Sequence, residues 1–100
     1  MIPFHFHPDA RLEFIESVDY YETQRQGLGR RFVDAVEDAI HQIRSHPNMY
    51  PHKAQRYQQC RVPKFPYGLI YRIKDGIIEI IAVMNLHRRP GYWSERTKGN

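Results

Sequence analysis

Tyr67-Gly68-Leu69-Ile70-Tyr71-Arg72-Ile73-Lys74-Asp75-Gly76-Ile77-Ile78-Glu79-Ile80-Ile81-Ala82-Val83-Met84 is the stretch whose reading decides the fold. Two runs rich in β-branched and aromatic residues flank Lys74-Asp75-Gly76, which has the composition of a tight hairpin turn. Strands are therefore expected over Tyr67–Ile73 and Ile77–Met84. The second is apolar on both faces, broken only by Glu79. Such a strand belongs inside a sheet and needs cover on two sides.

Working outward, Gln58–Val62 forms a further short strand, and the polar stretch from Pro47 to Tyr57, punctuated by Pro51, is expected as a loop. Before it, Phe32, Val36, Ile40 and Ile43 recur on one helical stripe that Pro47 stops. Gln26-Gly27-Leu28-Gly29 separates that helix from an earlier one. The earlier helix starts at His7-Pro8-Asp9 and carries Ala10, Phe14, Val18 and Tyr21 on its apolar side. Arg11, Glu13, Glu16 and Asp19 decorate the rest, so it is expected to be amphipathic. Ile2, Phe4 and Phe6 alternate with Pro3, His5 and His7, the period of a short first strand. The order β-α-α-β-β-β defines one α+β domain over residues 1–100, without repeats or linker. The helical hairpin covers one sheet face. For the other, either Tyr92 and Trp93 fold back over it, or it stays partly exposed and receives a partner protein.

An apolar share of 41% supports a packed core and argues against disorder. No run approaches the length of a membrane span, and the N-terminus lacks a basic segment followed by an apolar one. With a lone Cys60 that cannot form an internal disulfide, the expected setting is a reducing cytoplasm, without a membrane. Charge is unevenly spread. Residues 1–52 hold five Lys/Arg against eight Asp/Glu, a balance of −3; residues 53–100 hold ten against three, a balance of +7. A basic half attracts phosphate-rich partners, although it also serves solubility.

Several chemistries lack their residues. There is no glycine-rich phosphate loop, no paired cysteine and no zinc-binding helix motif. His5 and His7 share a strand face without further ligands, and His41 and His46 do not share a helix face. No metal or cofactor is expected. The chemistry-bearing segment is Asn85-Leu86-His87-Arg88-Arg89-Pro90-Gly91-Tyr92-Trp93-Ser94-Glu95-Arg96. Its arginines suit phosphates, His87 or Tyr92 can move protons, and aromatic rings stack on unpaired bases. Together such groups can cleave RNA without a metal by activating a 2′-hydroxyl. The alternative is that Tyr92 and Trp93 latch onto the core with solvated arginines around them. Arg61 and Arg72 on flanking strands, with Lys64 beside them, complete one basic surface if the side chains converge.

The chain resembles the RelE/ParE superfamily of toxins from type II toxin–antitoxin pairs. The resemblance rests on Ala10-Arg11-Leu12-Glu13-Phe14-Ile15 with Tyr20-Tyr21, Gly29-Arg30-Arg31-Phe32 through His46-Pro47, and Arg61. It continues through Phe65-Pro66-Tyr67-Gly68-Leu69-Ile70-Tyr71-Arg72, Ile80-Ile81-Ala82-Val83 and Arg88-Arg89-Pro90-Gly91-Tyr92-Trp93. It implies helices on one side of a mostly antiparallel sheet, and a cognate antitoxin that wraps the toxin. It also implies one of two targets: mRNA on the ribosome, which RelE-like members cut, or DNA gyrase, which ParE-like members poison without nuclease activity. Arg61 stands at the place of a catalytic lysine of the RelE-like members, His87 or Arg88 near a tail arginine or histidine, and Tyr92 near a catalytic tyrosine. Gly68 and Gln59 replace basic residues of that pattern, and Asn85 a histidine. The leading expectation is mRNA cleavage. In it Arg61, Arg88 and Arg89 hold the phosphate, His87 or Tyr92 handles protons, and Lys64, Arg72, Trp93 and Arg96 bind the target. Gyrase inhibition is the alternative, and a non-toxic RNA-binding or protein-interaction module the third.

Overall fold

The computed structural model describes residues 1–99. The chain runs β1 (Phe4–Phe6), α1 (Pro8–Gln24), α2 (Leu28–Ser45), β2 (His52–Ala54), β3 (Tyr57–Arg61), β4 (Tyr67–Lys74) and β5 (Ile77–Asn85). One sheet has the order β1-β5-β4-β3-β2. Its pairs are antiparallel except β1 with β5, which run parallel and are joined through the helical hairpin and the three strands between them. No helix is long and apolar enough to cross a membrane.

Local chemistry sets the helix ends. His7 caps α1 through Nδ1, which accepts the Asp9 N–H at 3.1 Å. The turn between the helices places Gly27 at a φ of +87°, a left-handed conformation that favours glycine. The Glu22 carboxylate accepts the N–H groups of Gly27 and Gly29, both at 3.0 Å, so the end of α1 also caps the start of α2. Gly29 has to be small: a Cβ there would lie 2.9 Å from the Val18 carbonyl oxygen.

The main core lies between this hairpin and one sheet face. From α2 come Phe32, Val36, Ala39, Ile40 and Ile43, and from the sheet Leu69, Tyr71, Ile78, Ile80 and Val83. Phe32 packs against Tyr67 and Phe65 at ring-centroid distances of 4.8 and 5.0 Å.

The two-faced character of β5 is resolved by the C-terminal tail. A register shift between Ile70 and Tyr71 pairs them with Ala82 and Ile80, leaving Ile81 as the extra residue of a bulge. Ile70, Ile81, Ala82 and Met84 form a second cluster on the face away from the helices, closed by Trp93 with Tyr57 and Tyr92. Trp93 is 4% exposed and meets Tyr57 edge-on at 5.0 Å. The back face is therefore covered by the chain itself, and the expectation of a partner protein on a bare sheet face does not hold. Two further differences stand out. The expected loop before Tyr57 contains β2, whose residues are all exposed. The outer side of α1 carries Leu12, Ile15 and Tyr20 in the open, so this helix has an apolar face towards solvent as well as towards the core.

Candidate functional site

Three strand ends meet at one end of the sheet. Val62 N–H donates to the Tyr67 carbonyl and Leu86 N–H to that of Pro66, both at 2.9 Å, so the β3–β4 turn lies beside the exit of β5. Lys64 holds a φ of +67° in that turn. Asn85 launches the tail: its Oδ1 accepts His87 N–H at 2.9 Å and its carbonyl accepts Arg88 N–H at 3.0 Å. This end collects Arg61, Lys64, His87, Arg88 and Arg89, all exposed. The Arg88 guanidinium stacks 4.1 Å from the centre of the Tyr92 ring. Beside it opens a pocket of about 170 Å3, lined by Glu16, Ser17, Tyr20, Asn85 and Arg88 among others.

The remaining expected site residues serve the fold. Arg96 places Nη1 and Nη2 each 2.8 Å from the two oxygens of Glu13, and Nη1 also donates to the Ile81 carbonyl at 2.9 Å. Tyr92 O–H donates to Glu13 Oε2 at 2.7 Å, and Val83 N–H donates to Oε1 at 3.0 Å. The Arg96 carbonyl lies 3.1 Å from His7 Nε2. Thr97 bonds the Tyr57 hydroxyl. Arg72, only 3% exposed, holds Glu79 through Nε and Nη2 at 2.8 Å, and His5 approaches the same carboxylate at 3.2 Å.

Arg72 and Arg96 are thus neutralised by partly buried carboxylates, and Trp93 is core. None of the three joins an open nucleic-acid-binding surface; of the expected set Arg88 and Tyr92 meet, whereas Arg72 is taken up by Glu79. Tyr92 is also poorly suited to proton transfer. Burial, then the hydrogen bond to Glu13 and its negative charge, push its phenol well above the usual tyrosine range. Among the described residues no cluster of His, Cys, Asp and Glu could hold a metal ion. What stands open is a cationic rim with one imidazole, able to grip an anionic surface.

Sequence reasoning missed Glu13 and Glu79. Glu13 reads as an ordinary helix-surface carboxylate, and nothing in its spacing shows that an arginine 83 residues away neutralises it. Glu79 stands out as the one break in an apolar strand, and its partner Arg72 faces it across the β4–β5 hairpin.

A family model described as the ParE toxin of the type II toxin–antitoxin system parDE matches residues 4–90. The chain belongs to the ParE toxin family. Among solved structures, a chain of the chromosomal ParDE toxin–antitoxin system from P. aeruginosa shares the fold, with a TM-score of 0.74 at 13% identity. That alignment covers 85% of this chain and 96% of the other. No curated protein matches the sequence. The family match ends at Pro90, so in this ParE-family chain the tail residues Tyr92, Trp93, Arg96 and Thr97 lie beyond it.

Proposed function

We propose that this toxin arrests growth by binding and inhibiting DNA gyrase rather than by cutting mRNA, and that a cognate antitoxin binds it and holds it in check. The observation that carries this reading is the fate of Tyr92. Its hydroxyl is bonded to Glu13 and its phenol is driven away from ionisation, so it is not free to serve a phosphodiester. General acid–base cleavage needs a positioned proton carrier whose pKa lies near the working pH. Among the expected residues, His87 is then the one remaining candidate proton carrier, and it stands exposed, with no hydrogen bond to its ring among the described residues. A binding toxin needs only the cationic rim of Arg61, Lys64, Arg88 and Arg89, and complementary charge steers such encounters. Membership of the ParE family supports the same choice. Gyrase and ribosomes both lie in the cytoplasm, where the toxin would act.

The test assays the purified chain twice, against gyrase supercoiling of relaxed plasmid and in a translation extract with mRNA ends mapped. Expected are loss of supercoiling, partial relief by Arg88→Glu with Arg89→Glu, and no new mRNA ends. New ends that vanish in His87→Ala, with supercoiling intact, would overturn the reading in favour of cleavage.

A further inference from the structure

The outer edge of β3 opens into a cleft of about 690 Å3 between α2 and the segment leading into β2. β2 accompanies only the first part of β3, pairing His52 with Gln58 and Ala54 with Tyr57 across a register shift. Gln59 N–H points outward and donates to the Pro51 carbonyl at 3.0 Å, whereas Val62 N–H points inward to Tyr67. Backbone direction alternates along a strand, so the N–H and C=O of Arg61 share the outward direction of Gln59. They do so where, among the described residues, no strand pairs on that side. An edge of this kind is a template for another strand.

Side chains set what strand it takes. Gln59 lies on the face away from the helices, since a Cβ on Gly68 would meet its side chain at 3.1 Å, and Arg61 shares that face by alternation. On the helix side the cleft is walled by Ala39, with Tyr50 and Cys60 also lining it. Two cations, Lys53 and Arg61, stand against one carboxylate, Asp38.

We infer that this edge receives an extended, acidic segment of a protein partner, added to the sheet beside β3. Its side chains alternate: acidic towards Arg61, small or apolar towards Ala39 and Tyr50. Pro63 ends the edge soon after Arg61, so the ladder is short and charge supplies much of the selectivity. A nucleic-acid strand fits less well, because it offers no backbone ladder to Arg61 and brings phosphate against Asp38. The inference is independent of which target the toxin poisons.

The test titrates the isotope-labelled full chain with a short synthetic peptide alternating Glu and Val, its Lys-Val counterpart, and a single-stranded oligonucleotide. Only the Glu-Val peptide should bind, shifting the Arg61 amide resonance and slowing its exchange with solvent. Lys53→Glu combined with Arg61→Glu should weaken binding at least about tenfold. Both side chains are exposed, so the fold should survive; if it does not, Arg61 exchange in the unmodified chain still decides. Equal binding of the Lys-Val peptide, an oligonucleotide that perturbs Arg61 in its place, or shifts confined to Arg88 and Arg89 would overturn the inference.

Discussion

Glu13 accepts hydrogen bonds from Tyr92, Arg96 and the Val83 backbone, joining α1, β5 and the tail through one carboxylate. Both Glu13 and Arg96 are largely buried, so removing one leaves the other with an incompletely compensated charge. Glu13→Ala should cost about 2–3 kcal/mol, read as a lower urea midpoint at unchanged slope. Glu13→Leu with Arg96→Met should cost less than the sum of the single changes by about 1 kcal/mol or more, because the apolar pair leaves no orphan charge. Tyr92→Phe removes a single donor, costing about 1 kcal/mol, and toxicity should persist if the toxin binds rather than cuts. Glu79 makes a pH prediction. Burial opposes its ionisation, but hydrogen bonds from Arg72 and His5 outweigh that and hold its pKa below the ordinary glutamate value. A depressed carboxylate stabilises the fold above its unfolded pKa, and that stability is lost as pH falls through the folded value. Stability should therefore drop on acidification below about pH 4.5, and Glu79→Gln should flatten that limb of the curve. An equally steep limb in the variant would show that another group governs it. The role of Glu13 was illegible in the sequence for a physical reason. Arg88 and Arg96 have the same chemistry and neighbouring positions, and only the fold decides which meets a carboxylate 83 residues away.

At the scale of elements, α2 and the β4–β5 hairpin were legible because each is governed by its own period. The α2 stripe of Phe32, Val36, Ile40 and Ile43 is buried as its spacing requires, and the turn around Asp75-Gly76 takes the positive φ angles its residues favour. β2 was not legible: three exposed residues carry no alternation, and their pairing with β3 is decided by tertiary placement. The tail has turns in place of a period, so its sequence left open whether Tyr92 and Trp93 close the back face or leave it bare; the fold closes it with Trp93. α1 is the instructive case. Its inward residues were correctly placed, but Leu12, Ile15 and Tyr20 face solvent, with Leu12 58% and Tyr20 57% exposed. Spacing shows that a stripe exists without showing that the opposite side is polar. Leu12→Gln and Ile15→Gln should each change stability by less than about 0.5 kcal/mol, whereas Ile43→Ala should cost about 2–5 kcal/mol. Thermal melts of the three variants check this contrast. A large loss at Leu12 would mean that the helix packs differently.

For the whole molecule, the question is what the last residues contribute. The family match stops at Pro90, so a chain ending there would keep every matched position. It would lose Trp93 from the back-face cluster, the Tyr92 and Arg96 bonds to Glu13, and the Thr97 bond to Tyr57. Trp93→Ala alone should cost about 3–5 kcal/mol, since it empties a buried site of indole size. Removing the segment adds the orphaned Glu13 and bares Ile70, Ile81 and Met84 to water. Domains of this size are stable by only about 5–15 kcal/mol, so the shortened chain should not hold its fold. Expected are loss of the cooperative thermal transition and binding of an apolar dye, whereas removing only Gly99 and Asn100 should leave both unchanged. A cooperative melt in the chain ending at Pro90 would mean that the sheet tolerates an open back face. In that event the tail's contacts would be incidental to stability, and Tyr92 and Arg96 would again be available for a role in the toxin's target site.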